Sequence, residues 1–319
     1  MIRPGKKNCL CGLPLNLTCF LLALVPLIWS TNFIIGKILV RDIPPLTITA
    51  IRVSVAGVFL ILLLRYNEKR FPRIEKKDFL PLAVMGFAGV FGFNSLIYTG
   101  LKSTTSTNSA IINGIYPVLT AVLSVLVLKE AFRPGRLIGL VFSLAGVFII
   151  AVQGSWGVLS GLRFNSGDIL ALAATLSWSV YSIAGKMVMG RLSPLCATTY
   201  STLFGLVFIY PAMAWELAGA KDISLSWNGV AAIVYLGIFS SVIAASWWNR
   251  GVNEIGPEKS GHFYNLLPVY SACLAAYFLN ESIHWYHILG GGAVLCGVYL
   301  GSRSSRVSKN SNPDGGVLK

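Results

Sequence analysis

Neutral polar and aromatic side chains lie within apolar stretches of this sequence, where a cavity could use them to bind a small molecule. Amide and phenol groups offer hydrogen-bond donors and acceptors, while indole rings offer a flat apolar surface. Inside a membrane such groups are placed toward neighbouring helices or a water-filled cavity, because lipid cannot satisfy their hydrogen bonds. The residues predicted to bind substrate are Asn32, Asn94, Tyr98, Asn113, Tyr116, Trp178, Tyr181, Tyr264 and Asn265.

Three further tryptophans are weaker candidates for the same cavity. Trp29 lies in the first apolar stretch, and Trp247 and Trp248 lie in the eighth. The last two are close to the end of their stretch, where an interfacial aromatic belt is the alternative interpretation.

Two prolines, Pro117 and Pro268, occupy equivalent places in two similar apolar segments. Proline lacks an N–H and frees the carbonyl four residues earlier, which here belongs to Asn113 and Tyr264. Helix interruptions at corresponding positions of two halves indicate a binding site. The alternative is that these prolines only kink their helices for packing, while nearby polar side chains bond to neighbouring helices.

Arg52 and His262 are the candidates for a charge or proton role. Arg52 lies about six residues into the second apolar stretch, roughly 9 Å at 1.5 Å per residue. It could bind an anionic group, reach back to the outer surface, or tie carbonyl groups of adjacent helices. His262 follows Glu258 by four residues and could handle protons or be a satisfied packing histidine.

The twelve carboxylates all fall in loops, tails or the ends of apolar stretches. A carboxylate at the midplane is the usual means of coupling transport to protons or binding a cation, so the pattern favours an aromatic or neutral polar cavity. The six cysteines show no zinc spacing with histidines, and we expect neither a metal site nor a cofactor.

Composition places the chain in a bilayer, since 55% of its 319 residues are hydrophobic, 12% are charged and the mean hydropathy is +0.69. A span needs about 20 apolar residues. The sequence therefore predicts an all-α integral membrane protein with ten transmembrane helices. The predicted spans are 17–39, 46–65, 79–101, 104–128, 137–153, 168–190, 195–217, 228–249, 257–279 and 286–302.

The net charge of +14 reflects orientation rather than a nucleic-acid partner. With a cytoplasmic N-terminus, eighteen Lys and Arg residues fall in cytoplasmic segments and four in outer loops. This asymmetry predicts a multi-pass protein of the plasma membrane with both termini in the cytoplasm. The expected partners are the lipid bilayer and a small-molecule substrate, and the sequence indicates no oligomeric state.

The chain contains two copies of one module. Residues 117–147 align without a gap on residues 268–298 with ten identities, and an earlier match pairs Trp29 with Trp178. Because each copy holds five predicted spans, the second must enter the membrane from the opposite side, which makes the repeat inverted. The predicted organisation is an N-terminal tail 1–16, a first repeat 17–153, a linker 154–167, a second repeat 168–302 and a C-terminal tail 303–319.

These features resemble the EamA family of the drug/metabolite transporter superfamily. The resemblance rests on Trp-Ser and Gly-Lys pairs in spans one and six, Arg52, the two proline segments, and the Leu-Lys-Glu and Leu-Asn-Glu sequences that end spans four and nine. It implies a ten-span carrier whose cavity is formed largely by spans 1, 3, 4, 6, 8 and 9.

The resulting functional hypothesis is a secondary transporter, and in particular an exporter, of small organic metabolites such as amino acids. It would work by alternating access between the two inverted repeats. The alternatives are an integral membrane enzyme acting on lipid and a membrane sensor without transport. The enzyme alternative lacks a recognisable constellation of nucleophile, base or metal ligands, so we expect no enzymatic activity.

Overall fold

The computed structural model describes residues 15–68, 72–129, 134–153, 155, 165–188, 191–219, 226–255, 263–264 and 266–303. Within these residues the chain is helical and forms no strand, which confirms the predicted all-α class. Asn265 and His262 lie outside the described residues.

Ten helical elements follow one another along the described chain. Three of them, α2, α5 and α7, begin at a proline, whose missing N–H is not needed at a helix start. The elements are α1 (Leu15–Leu39), α2 (Pro45–Glu68), α3 (Lys76–Leu101), α4 (Ser106–Leu128), α5 (Pro134–Ala151), α6 (Ser166–Val188), α7 (Pro194–Gly219), α8 (227–255), α9 (Leu267–Leu279) and α10 (Trp285–Arg303).

Seven of the described helices, α1 to α4 and α6 to α8, are long and apolar enough to cross a membrane. Shorter apolar helical segments occur at Val141–Ile150 in α5 and at Leu267–Leu279. The protein is therefore a membrane protein, and a count of ten spans remains a prediction.

Irregular turns recur at corresponding places in the two halves. A π-helical segment spans Gly86–Phe93 in α3, and another spans Leu236–Ala244 in α8. The segment Tyr116–Leu128 ends at Lys129 and α9 ends at Asn280, both in the left-handed conformation with φ of 53° and 52°. The two halves thus share local backbone features that hydropathy alone does not indicate.

Helices of the first half pack against helices of the second half. Helix α1 packs against α9 as α6 packs against α4, and α3 packs against α7 as α8 packs against α2. Helix α2 also packs against its own counterpart α7, and α5 against α10. This is the packing pattern expected of two similar modules whose equivalent helices make equivalent contacts.

Carboxylates hold the starts of two helices. Glu216 accepts hydrogen bonds from two N–H groups in the first turn of α2, at 3.1 and 2.9 Å. Glu281 does the same at the start of α4, at 2.8 and 3.0 Å. These N–H groups have no partner within their own helix, and the helix dipole favours a negative charge at this end.

A cluster of polar side chains joins α4, α6 and α10. Asp168 accepts hydrogen bonds from the Thr104 hydroxyl and from Asn108 Nδ2, the latter at 3.3 Å. Asn108 Oδ1 lies 2.9 Å from Nε2 of the buried His287. The cluster ties the first half of α4 to both neighbouring helices.

Glycines allow α5 and α10 to approach closely. A Cβ atom at Gly146 would lie 2.8 Å from the backbone nitrogen of Val294 and still closer to the carbonyl oxygen of Gly290. Small residues at such an interface let helix backbones pack at short range in membranes. By contrast, a Cβ atom at Gly292, which lies in α10, would meet no atom within 4 Å.

We expect Gly146→Ala to lower the free energy of unfolding by about 1–3 kcal/mol, because the added methyl forces two backbones apart. Gly292→Ala is the matched control and should leave stability unchanged or raise it by up to about 1 kcal/mol, the helix-propensity difference between the residues. Chemical denaturation of both purified variants in detergent measures the difference. Equal stability of the two variants would contradict the packing described for Gly146.

Candidate functional site

The side chain of Arg52 is hydrogen-bonded to side chains of several helices in the bundle. It extends from α2, is 6% exposed, and its Nη1 lies within hydrogen-bond distance of three oxygens. These are Asn32 Oδ1 at 3.0 Å, Asn94 Oδ1 at 2.8 Å and Tyr98 Oη at 2.7 Å. Tyr98 in turn donates to Asn32 Oδ1 at 2.6 Å, so one network joins α1, α2 and α3.

The other edge of the Arg52 guanidinium faces serine hydroxyls of α8. Nε donates to Ser241 Oγ at 3.1 Å and Nη2 to Ser240 Oγ at 3.2 Å. Both serines belong to the π-helical segment of α8, and Asn94 directly follows the π-helical segment of α3. Such segments shift the register of a helix and are frequent at functional sites, which accounts for the convergence of three side chains on Arg52.

Aromatic rings form another part of the site. The Trp29 ring centroid lies 6.2 Å from Trp178, 5.4 Å from Trp248 and 5.8 Å from Tyr264. Trp178 stacks on Tyr181 with centroids 4.6 Å apart and planes inclined by 8°. Trp29 Nε1 donates to the Ser240 carbonyl at 3.2 Å, which satisfies the only polar atom of its ring.

Asn113 contacts Tyr264. These are the two residues whose backbone carbonyls Pro117 and Pro268 were expected to free. The Tyr264 hydroxyl donates to Asn113 Oδ1, and Asn113 Nδ2 is 3.4 Å from Thr175 Oγ1. Helix α4 is interrupted immediately after Asn113 and resumes at Tyr116. The interruption places this amide against the ring from the other half of the chain.

A cavity is lined by members of the Arg52 network and by several of the aromatic rings. About 760 Å³ of space not occupied by atoms lies within it and at its opening, open solvent included. Residues at equivalent positions of the two halves face it: Trp29 with Trp178, Asn32 with Tyr181, Asn94 with Ala245 and Asn113 with Tyr264. The cavity is thus located where the two halves meet.

Most of the residues predicted from the sequence are brought together here. Tyr98 is fully buried behind the lining against Arg52, and the buried Tyr116 packs against Tyr264 with ring centroids 4.7 Å apart. Of the residues predicted from the sequence, those that line the cavity are Arg52, Asn32, Asn94, Asn113, Trp178, Tyr181 and Tyr264.

The two prolines take the same position in the structure. Pro117 and Pro268 are each the second residue of a helical segment, at Tyr116–Leu128 and in α9. Neither interrupts a hydrogen-bonded turn there, because the first N–H groups of a helix have no partner within it.

The structure places Arg52 away from the surface, and the partners of its guanidinium are side-chain oxygens rather than backbone carbonyl groups. Binding of an anionic group by Arg52 stays a prediction. Trp248, for which an interfacial belt was the alternative, is 8% exposed and packs against Trp29.

Ser240 and Ser241 are the functional candidates that sequence reasoning missed. Both line the cavity and both accept a hydrogen bond from Arg52. Two adjacent hydroxyls within an otherwise apolar span were a usable signal. Adjacent residues on a regular helix point about 100° apart, however, so one shared partner was not expected.

Comparison with known proteins identifies the family. The EamA-like transporter family matches the chain twice, over residues 16–152 and again over residues 165–303. The chain belongs to the EamA family.

Several relatives of this EamA protein are similar over most of their length. The uncharacterized transporter YyaM of Bacillus subtilis is 30% identical over 88% of this chain and 92% of its own. The uncharacterized transporter YetK of the same organism is 31% identical over 92% of this chain and 87% of its own. An uncharacterized transporter of Archaeoglobus fulgidus is 29% identical, with coverage of 89% and 96%.

One solved crystal structure has the same fold as this EamA protein. It superposes with a TM-score of 0.65 over 92% of this chain and 99% of its own, at 19% identity. The family and the names of the relatives indicate a transporter rather than an enzyme.

Removing the hydroxyl that joins Tyr98 to Arg52 should destabilise this EamA protein. We expect Tyr98→Phe to lower the free energy of unfolding by about 1.5–3 kcal/mol, the usual contribution of a hydrogen bond to a charged group. Tyr210→Phe is the matched control, because its hydroxyl bonds to Ser54 at 2.8 Å in an exposed position. There the loss should be about 0.6 kcal/mol, the average for such bonds in membrane proteins.

Chemical denaturation of the two variants in one detergent measures both losses. A Tyr98→Phe protein no less stable than Tyr210→Phe would show that the Arg52 network does not hold α1, α2 and α3 together.

Proposed function

We propose that the protein is a secondary transporter that exports small organic metabolites such as amino acids. Transport would proceed by alternating access, in which two inverted five-helix repeats move against each other around the cavity. The observation that carries the proposal is the position of the cavity, which is lined by equivalent residues of both halves. A site at such an interface changes its access when the halves move, whereas a site within one half does not.

The helix packing supports this mechanism. The exchange of partners between the halves gives two similar sets of contacts, α1 with α9 and α4 with α6, beside the cavity. Loosening one set while the other stays closed would open the cavity to one side of the membrane. The interruptions of α3, α4 and α8 beside the cavity supply places where the helices can bend.

The location of the protein belongs to the same proposal. The excess of Lys and Arg in alternate loops supports a plasma-membrane protein with ten spans and with both termini in the cytoplasm. The segments 17–153 and 168–302 would form the two repeats, joined by the linker 154–167.

Roles for the predicted residues follow from their positions. The six predicted residues that line the cavity would contact the substrate directly. Tyr98 and Tyr116 would act from behind it, Tyr98 on Arg52 and Tyr116 on Tyr264. Asn265 as a ligand and His262 as a proton-handling group remain predictions from the sequence.

Filling the cavity tests the transport proposal. Ala245 lines the cavity on α8, and we expect Ala245→Trp to reduce flux by at least about tenfold, because the indole occupies the substrate's space. Val207→Trp is the matched control, since Val207 is 66% exposed on α7 and its replacement should leave flux unchanged. The measurement is counterflow of radiolabelled amino acids into proteoliposomes that contain each purified variant.

Two outcomes would contradict the proposal. One is wild-type protein that moves no labelled amino acid faster than empty liposomes do. The other is an Ala245→Trp variant that matches wild type in flux, which would show that the route does not pass through this cavity.

A further inference from the structure

Arg52 carries a buried positive charge whose hydrogen-bond partners are all neutral. Its five recorded partners are amide, phenol and hydroxyl oxygens. Within the described part of the chain, no carboxylate forms an ion pair with it. Burying a charge without an opposite charge is costly, and a side chain retained under that cost inside a membrane is a functional candidate.

The buried and half-buried carboxylates of the described chain are engaged elsewhere. Asp168 bonds to Thr104 and Asn108, and Asp78 pairs with Arg191. Glu216 and Glu281 hold the starts of α2 and α4. None of these groups is available to neutralise Arg52, so its charge is directed toward the cavity that it lines.

The charge is also confined to one half of the chain. The residue equivalent to Arg52 at the repeat offset of 149 is Ser201, which is fully buried and bonds to the carbonyl of Thr198. Among the described residues that line the cavity, Arg52 is therefore the one cation, and the aromatic rings of Trp29, Trp178 and Tyr264 line the same cavity.

The two edges of the guanidinium are held differently. Nη1 is bound by amide and phenol oxygens at 2.7–3.0 Å. Nε and Nη2 form the side edge that receives a carboxylate in bidentate Arg–carboxylate pairs. Here they are held only by the hydroxyls of Ser240 and Ser241, at 3.2 and 3.1 Å. A hydroxyl can rotate to donate, so both serines could turn their protons toward a bound anion.

We propose that the substrate is a monocarboxylate with an apolar or aromatic body. The carboxylate takes the place of the two serine hydroxyls at the Nε and Nη2 edge of Arg52, Ser240 and Ser241 turn to donate to it, and the body packs against Trp29 and Trp178. An ammonium group is not required, because no carboxylate is found among the described residues that line the cavity. This inference names the substrate class of the transporter proposed above and rests on that proposal only for transport, not for binding.

Four probes with the same phenyl body separate the charges. They are 3-phenylpropionate, L-phenylalanine, phenethylamine and 3-phenylpropanamide, which carry respectively a carboxylate, a carboxylate with an ammonium, an ammonium, and no charge. Ligand binding to the folded state raises the unfolding midpoint by mass action. We expect the two carboxylates to raise the midpoint of the purified wild-type protein in detergent, and the amine and amide to leave it unchanged.

A pair of variants then assigns the effect to Arg52. Arg52→Gln removes the charge and should weaken binding of 3-phenylpropionate by at least about tenfold, the cost of losing a charged hydrogen bond. Lys37→Gln is the matched control, because Lys37 is another cation of a membrane span. Its Nζ bonds to the carbonyls of Leu101 and Thr104 at 2.6 and 2.7 Å rather than lining the cavity. The midpoint shift caused by 3-phenylpropionate should persist in this variant.

The comparison of probes on wild-type protein holds even if Arg52→Gln fails to fold. Equal stabilisation by the amide or the amine, stabilisation by none of the four, or undiminished binding of 3-phenylpropionate to folded Arg52→Gln would overturn the inference. Counterflow in proteoliposomes separates it from the transport proposal. Carboxylates that bind through Arg52 but do not move would support this inference and contradict transport, whereas preferred transport of the amine would do the reverse.

Discussion

Polar groups inside a hydrocarbon layer must find their partners within the protein, because lipid offers none. This constraint accounts for the placement of the charged groups described above. Glu216 and Glu281 satisfy N–H groups at helix starts, while Lys37 satisfies carbonyls at the end of α3. Arg52 collects oxygens from three other helices. Each of these side chains joins helices that the hydrophobic effect cannot bring together inside a bilayer.

The same constraint shapes the cavity. Irregular backbone is tolerated at membrane depth only where protein or a polar cavity surrounds it. The π-helical segments of α3 and α8 and the break after Asn113 in α4 all occur beside the cavity. They bring Asn94, Ser240 and Ser241 to Arg52 and Asn113 to Tyr264. Both halves contribute aromatic rings to the site, whereas the charge of Arg52 comes from the first half. The charge distribution of the site is therefore asymmetric.

The sequence predicted more of the fold than of the site. Hydropathy predicted the helical class, and the gap-free alignment of residues 117–147 on 268–298 predicted two similar modules. The structure places six of the nine predicted ligands around one cavity. Asn94 and Asn113 could be selected because a polar side chain in an apolar stretch needs a protein partner or a ligand. Ser240 and Ser241 escaped notice, because hydroxyls in spans commonly bond to their own helix and only a π-helical turn directs both at Arg52.

The sequence by itself determined that the chain is a helical membrane protein with a duplicated module. These properties follow from composition and periodic pattern, which act locally along the chain. Only the tertiary structure decided that Arg52 is buried among neutral oxygens of the described helices, that Tyr98 lies behind the lining, and that Asn113 meets Tyr264. These relations join residues up to 151 positions apart, and their geometry depends on the packing angles of helices and on irregular turns. A hydropathy pattern specifies neither packing angles nor irregular turns. Which way a side chain points therefore follows only from the folded helix bundle.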